Sequence, residues 1–235
     1  MIARLLLVAA ASGIVFPACA ADRNYSVTEF DQVDVSGPYR VIVETGRAPS
    51  ARASGDQASL DRVIVEVRSR RLVVSASKTA WGERAFLKQG PVIVRVSTLG
   101  LKRVQLTGSG SLEIDRIRAP RLFVSQAGSG AIKIAEIDAE QLDLVTQGSG
   151  LVVIGGRNLT GRISNNGSGR IDGLELVVTN VDVRSNSAGE TSVTAQRSAK
   201  VVATSAGGVT IGGSPACTVT HLGAGEVQCG AASRQ

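Results

Sequence analysis

From Leu101 onward, apolar residues fall on alternate positions, not at the three-to-four spacing of a helix, and glycine triplets punctuate the alternation. Gly-Ser-Gly stands at Gly108-Ser109-Gly110, Gly128-Ser129-Gly130, Gly148-Ser149-Gly150 and Gly167-Ser168-Gly169. Relaxed copies follow at Ser187-Ala188-Gly189, Ser205-Ala206-Gly207 and Gly223-Ala224-Gly225, and the intervals between first positions are 20, 20, 19, 20, 18 and 18 residues. The fourth residue after each first position is Leu112, Ile132, Val152, Ile171, Thr191, Val209 or Val227, and the sixth is usually aliphatic as well. The sixth residue before the next triplet is Leu122, Leu142, Gly161, Val181, Ala199 or Cys217, and the fourth is Val124, Leu144, Ile163, Val183, Val201 or Val219. Two alternating apolar pairs per repeat predict two short strands, each with one buried face.

A single repeat of this kind cannot bury its own inner face, whereas stacked repeats share one continuous core. The pattern therefore predicts an all-β fold, a single-stranded parallel β-helix of about 18–20 residues per coil. The crossover rule for parallel strands makes it right-handed. Gly108, Gly110, Gly128, Gly130, Gly148, Gly150, Gly167 and Gly169 are structural in this reading, at corners that need positive φ or close approach between coils. The serines between them are expected to form a hydroxyl ladder. The outward position five residues before each triplet reads Phe123, Asp143, Arg162, Asp182, Lys200 and Thr218. Asp143, Arg162, Asp182 and Lys200 alternate in sign and form a candidate surface charge ladder, since opposite charges facing each other across strands stabilise a sheet.

Residues before Leu101 are strand-like but less regular, with runs at Phe30–Val35, Arg40–Glu44, Val63–Val67, Leu72–Ser75 and Val92–Val96. The loop from Ala76 to Pro91 carries the single Trp81. No linker separates this part from the repeats, so residues 28–100 read as N-terminal coils and cap, and 101–230 as repeat coils, of one solenoid. A separate N-terminal β domain is the alternative.

The first twenty residues read as a cleavable signal peptide. Arg4 gives a positive start, Leu5 to Phe16 is apolar, and Ala18-Cys19-Ala20 offers small residues at the cleavage position. The apolar run is too short to span a bilayer. The alternative is a lipoprotein signal acylated at Cys19, which would place the protein on a membrane, but Phe16-Pro17 matches a lipobox poorly. Residues 21–27 then form a short extension and 231–235 a tail. Export predicts a periplasmic, cell-envelope or secreted location. It leaves Cys217 and Cys229 as an even pair that suggests a disulfide, with two buried thiols as the alternative.

At this point several motifs carry a family resemblance. Phe30-x-x-Val33-x-Val35-Ser36-Gly37 and the Val41-x-Val43 strand resemble the opening of the GIN domain, the head region of autotransporter adhesins and a domain of unknown function. The serial Gly-Ser-Gly coils and the late Gly212-Gly213-Ser214-Pro215 are similar to the rest of it, so the resemblance covers roughly residues 28–216. Family members often carry Tyr before the final Gly, where this chain has Ile211 and Gly212. The resemblance implies a secreted or cell-envelope β-helix with no established chemistry, and the family defines no catalytic or binding residues to carry over.

Composition narrows the chemistry further. One His and three Cys are too few for a conventional zinc site. His221 has no evident partner to orient it as a base. The glycine triplets lack the following Lys-Ser/Thr of a phosphate loop. Asp143 and Asp182 lie two coils apart, close to the spacing of an inverting carboxylate pair. Arg162 between them would lower both pKa values, the wrong direction for a general acid. A net charge of +6, with clusters at Arg68, Arg70, Arg71 and at Arg116, Arg118, Arg121, suits anionic envelope polysaccharide or an acidic protein face. Export and sparse aromatics, 3% of the chain, argue against nucleic acid. The sequence therefore predicts a non-enzymatic adhesin-like or scaffolding module without cofactors. A self-assembling homo-oligomer and a polysaccharide-acting enzyme are the alternatives.

Overall fold

The computed structural model describes residues 21–77 and 91–230. The segment read as a signal peptide, with Cys19, most of the loop that carries Trp81, and the tail 231–235 lie outside the described residues.

The chain begins with β1 (Ala21–Tyr25), inside the stretch read as an extension, followed by β2 (Gln32–Ser36) and β3 (Arg40–Thr45) on either side of a corner at Gly37. Next come β4 (Ser50–Gly55), one helical turn α1 (Gln57–Leu60) capped by the Asp56 side chain, the hairpin β5 (Val63–Arg68) and β6 (Arg71–Ala76), β7 (Ile93–Thr98) and β8 (Arg103–Gly108). The hairpin turns at Ser69 and Arg70, both at positive φ. Spatial order departs from chain order here. β2 lies between β6 and β8, and β3 between β7 and the strand that follows β8, all parallel. Thus the chain lays down one layer, leaves to build the end of the stack, and steps back across that layer to continue on its other side. The hydroxyl of Thr98 donating to the Phe30 carbonyl and the Lys102 N–H donating to the Asp31 carbonyl at 2.8 Å hold this crossing. At the outer end, β1 on β4, β4 on β7 and β5 on β6 are antiparallel. The stack therefore closes on edges that carry Asp22, Arg23, Glu66 and Arg68, which discourage pairing with another chain.

Beyond β8 each repeat is one bent strand: β9 (Ser111–Gly128), β10 (Ala131–Gly148), β11 (Leu151–Gly167), β12 (Arg170–Ser187) and β13 (Thr191–Ala203), then β14 (Val209–Gly213), β15 (Ala216–His221) and β16 (Val227–Cys229). They stack in parallel as a β-solenoid of about six turns. The predicted columns hold in register: Leu122, Leu142, Gly161, Val181, Ala199 and Cys217 are successive partners, as are Val124, Leu144, Ile163, Val183, Val201 and Val219.

Each full coil has three inward faces where the alternation predicted two. The additional face is built by Ile117 and Ala119, Ile137 and Ala139, and Leu176 and Val178, all buried. Exposed pairs such as Asp115-Arg116 and Pro120-Arg121 turn the chain on either side of it. In the 19-residue coil this face carries Gly156 and Asn158, in register with Ile137 and Ala139. The Asn158 amide is buried and has no hydrogen-bond partner. Room for it comes from Gly161, which replaces the Leu of the coils before it.

At the glycine corner the two glycines answer to different constraints. Gly128 has φ +104° and sits over Gly108, so a Cβ there would lie 2.7 Å from the Gly108 carbonyl oxygen. Gly130 has no unusual φ, yet a Cβ would lie 2.5 Å from the Gly110 oxygen. In the relaxed copies the first position is Ser187, Ser205 or Gly223, none at positive φ, while the second glycine persists as Gly189, Gly207 and Gly225. Close backbone approach is thus the requirement the repeat keeps throughout. The expected serine ladder is not what joins the corners, because Ser109, Ser129, Ser149 and Ser168 point to solvent. The polar ladder runs inside, two residues before the first position of each triplet, through Gln126, Thr146, Asn165 and Ser185. Thr146 Oγ1 bonds Asn165 Oδ1 at 2.7 Å, and Asn165 Nδ2 donates to the Gly169 carbonyl at 2.9 Å. Gln126 Nε2 donates to the carbonyls of Gly128 and Gly130. The Gly169 carbonyl accepts from the Asn165 and Ser187 side chains, whereas those of Gly128 and Gly130 also accept backbone N–H groups from Ser149 and Leu151, so Gln126 adds a second bond there.

Candidate functional site

The register of successive coils brings Arg118, Asp138 and Arg157 onto neighbouring rungs on the outward side of the additional face. Arg118 Nε donates to Asp138 Oδ2 at 3.2 Å and Arg157 Nε to Asp138 Oδ1 at 3.4 Å. The hydrogen bond from Arg157, with the charges of Arg157 and Arg118, holds the Asp138 carboxyl below the usual carboxylate range, against a smaller opposing effect of burial. Beside them Arg116 Nε donates to Glu136 at 2.7 Å.

Arg118, Glu136, Asp138 and Arg157 border an open groove of about 950 Å³ that runs along the stack across five coils, from Arg118 to Gln196. Pro120, Leu159 and Val177 give it apolar patches, Leu159 being 58% exposed, and Glu140 and Thr179 complete its polar rim. The groove lies where coil length varies. Register shifts fall between Ile134 and Ile137, between Val153 and Gly156, between Gly173 and Val177 and between Val178 and Asn180. Each length change in these coils is thus absorbed on the groove side, whereas the glycine corners stay aligned. Surface variability on a rigid scaffold is the usual setting of a binding face.

Other candidate residues are distributed as follows. Asp143, Arg162, Asp182 and Lys200 are successive partners in register, continuing into Thr218. None of the ion pairs among the described residues runs along that column, however. Asp182 pairs with Arg184 on its own strand at 3.6 Å. Exposed side chains standing in parallel on a flat face gain little by closing such pairs. At the column's start, the Arg103 guanidinium lies 4.4 Å from the Phe123 ring centroid. Arg162 is interposed between Asp143 and Asp182. The basic turn is largely answered by acids: Arg68 pairs with Glu66, and Arg70 with Glu29 and Asp31. Burial alone would raise the Asp31 carboxyl, but the hydrogen bonds and charges of Lys102 and Arg70 outweigh it and hold it low. His221 is exposed, in register with Ala203 at the end of β15. Cys217 and Cys229 are joined by a disulfide that ties β15 to β16 across the last coil. Among the described residues no three His, Cys, Asp or Glu side chains cluster as a metal site, and no helix is long and apolar enough to cross a membrane.

Sequence reasoning had placed Arg118 in a basic cluster and had missed its partners. The signal was present, since Asp138 and Arg157 recur 20 and 39 residues after Arg118, the sums of the coil lengths.

Fold and groove together define a capped parallel β-solenoid with a polar cleft along one side. Residues 29–215 match the family described as "Putative auto-transporter adhesin, head GIN domain", and the chain belongs to that family. Its fold is similar to a solved putative adhesin from Bacteroides fragilis, with TM-score 0.82, 19% identity, and coverage of 90% of this chain and 97% of that one. It is also similar to a putative lipid binding protein from Parabacteroides distasonis, with TM-score 0.70, 19% identity, and coverage of 89% and 96%. A putative adhesin from Parabacteroides merdae gives TM-score 0.63, 16% identity, and coverage of 89% and 95%. No curated protein matches this chain.

Proposed function

We propose that this protein is a non-enzymatic, adhesin-like binding module of the cell envelope or its exterior, and that it holds an extended polymer or partner segment along the groove of Arg118, Asp138 and Arg157. The observation that carries this reading is the coincidence of the groove with the side of the solenoid that absorbs every register shift. An open cleft crossing five coils suits a long, flexible chain better than a compact metabolite. Membership of an adhesin-head family supports the same role, and the solved relatives named as adhesins share the fold. An array of glycans and envelope fractions, probed at two salt concentrations with the native protein and with Arg118→Ala/Arg157→Ala, tests it. The reading expects retention that weakens in the double variant. Equal retention by both proteins would sink the groove assignment.

A second reading, self-assembly, has its own observation. β15 is exposed along its whole length and carries no Asp, Glu, Lys or Arg. Val219 is 42% exposed, whereas its partner Val201 is fully buried. Among the described residues β15 therefore lacks the charges carried by the edges of the opposite cap. Light scattering on dilution tests this reading, and a mass independent of concentration and equal to one chain would count against it.

A further inference from the structure

The inference rests on the groove as the binding face and concerns the class of polymer it selects. Stacked coils repeat at about 4.8 Å, and one pyranose unit advances an extended glycan by close to one such rung. A glycan lying along the stack would therefore place roughly one sugar over each coil. The groove offers those sugars an ordered sequence of charge: Arg118, then Asp138, then Arg157, on three consecutive rungs. Each arginine uses its Nε–H on the same carboxylate. Their Nη groups make no hydrogen bond to the described residues, and the side chains are 74% and 77% exposed. Asp138 thus orients two guanidinium forks outward, two rungs apart, which suits them to carboxylate recognition.

The acids matter as much as the bases. Glu136 pairs with Arg116, Asp138 is shared by Arg118 and Arg157, and Glu140 also lines the cleft. A polymer with a carboxylate on every sugar would set one of them directly over Asp138, an unfavourable contact that discriminates against dense polyanions. A polymer with a carboxylate on every second sugar would meet Arg118 and Arg157 and present hydroxyl or amide groups, which donate hydrogen bonds, to Asp138. Leu159, Pro120 and Val177 supply apolar surface for the C–H faces of the rings.

We propose that the groove is selective for glycans in which a hexuronate alternates with a neutral or N-acylated sugar. The test is calorimetric titration of the intact protein with three soluble probes of matched length. They are hyaluronan, in which uronate alternates with N-acetylhexosamine, polygalacturonate, with a carboxylate on every sugar, and neutral dextran. The expected result is hyaluronan binding at least about tenfold tighter than either of the others, weakened about tenfold by Arg118→Ala or Arg157→Ala. Lys133→Ala, on another face, should leave binding unchanged. Asp138→Asn should narrow the preference by improving polygalacturonate binding. Polygalacturonate binding as tightly as hyaluronan, with the arginine variants still weakening both, would overturn the alternation argument and leave the groove as the binding face. Hyaluronan binding that neither arginine variant alters would overturn the inference and the groove assignment together. The absence of binding to all three probes would overturn the inference alone, because the envelope array tests the broader reading independently.

Discussion

The glycine corner and the groove face are parts of the same coils, yet they respond to change in opposite ways. At the corner, backbone packs on backbone: Gly130, Gly150 and Gly169 each leave under 3 Å to a carbonyl oxygen for any added Cβ. Nothing there can lengthen without prising coils apart. Across the coil, residues are lost between Ile134 and Ile137 and gained again after Val153 without disturbing the corner registers. One side thus acts as the spine of the stack, and the other is free to diversify its surface.

Deletions give the hardest test of that contrast. Removing Ser129 should cost several kcal/mol, on the order of 4, because it misaligns Gly130 under Gly110. Removing Ala135, which imitates the coil containing Gly156, should cost only about 1 kcal/mol. Chemical denaturation measures both, and equal losses would abolish the distinction. Gly130→Ala should cost about 3 kcal/mol through overpacking.

Next in size is the disulfide between β15 and β16. Cys217→Ser/Cys229→Ser should destabilise by about 2–3 kcal/mol for a loop of this length, with increased hydrogen exchange confined to β15 and β16. Two free thiols in denatured, non-reduced protein would remove the basis for that expectation.

Smaller effects sharpen the description of the groove side. Asn158→Val should raise stability by about 1 kcal/mol, since it replaces an unpaired buried amide with the residue type found one coil on at Val178. A fall in Tm would mean that the amide has a partner. Asp31 should appear in the pH dependence. Its carboxyl is held below the ordinary value, so its contribution is complete above the unfolded pKa of about 4 and is lost as pH falls through the lower, folded value. Thermal melts from pH 7 to 2 should therefore show a smaller acid-induced drop in Asp31→Asn than in the native protein. By contrast, Arg118→Ala and Arg157→Ala should each change stability by less than about 0.5 kcal/mol, as exposed ion pairs do.

Much of this architecture was legible in the sequence because a repeat reports its own register. Leu122, Leu142 and Val181 could be assigned to one column from spacing alone. The additional face was hidden because the 19-residue coil drops a residue there. Ile117, Ile137 and Leu176 share a position, but Gly156 comes one early and breaks the column. The intercalated layer of β2 and β3 was hidden for a different reason. Its partners lie 39 and 53 residues downstream on one side and 71 on the other, as Val33 with Leu72, Val41 with Val94 and Val33 with Val104 show, and no repeat connects them. The one cue was the Ser36-Gly37 step after Val33 and Val35, which parallels Thr107-Gly108 after Val104 and Leu106. Asp143, Arg162, Asp182 and Lys200 stand on successive rungs without an ion pair between them, because stacking places side chains side by side without requiring them to pair. The groove needed both the register and the partners of Arg118, and only coil counting supplies them.

Amide hydrogen exchange with and without saturating hyaluronan tests the central claim most directly. The account predicts added protection in the segments 116–120, 136–140 and 156–159, with the corners at Ser109, Ser129, Ser149 and Ser168 unchanged. Protection concentrated at those corners, with the groove segments unaltered, would contradict it.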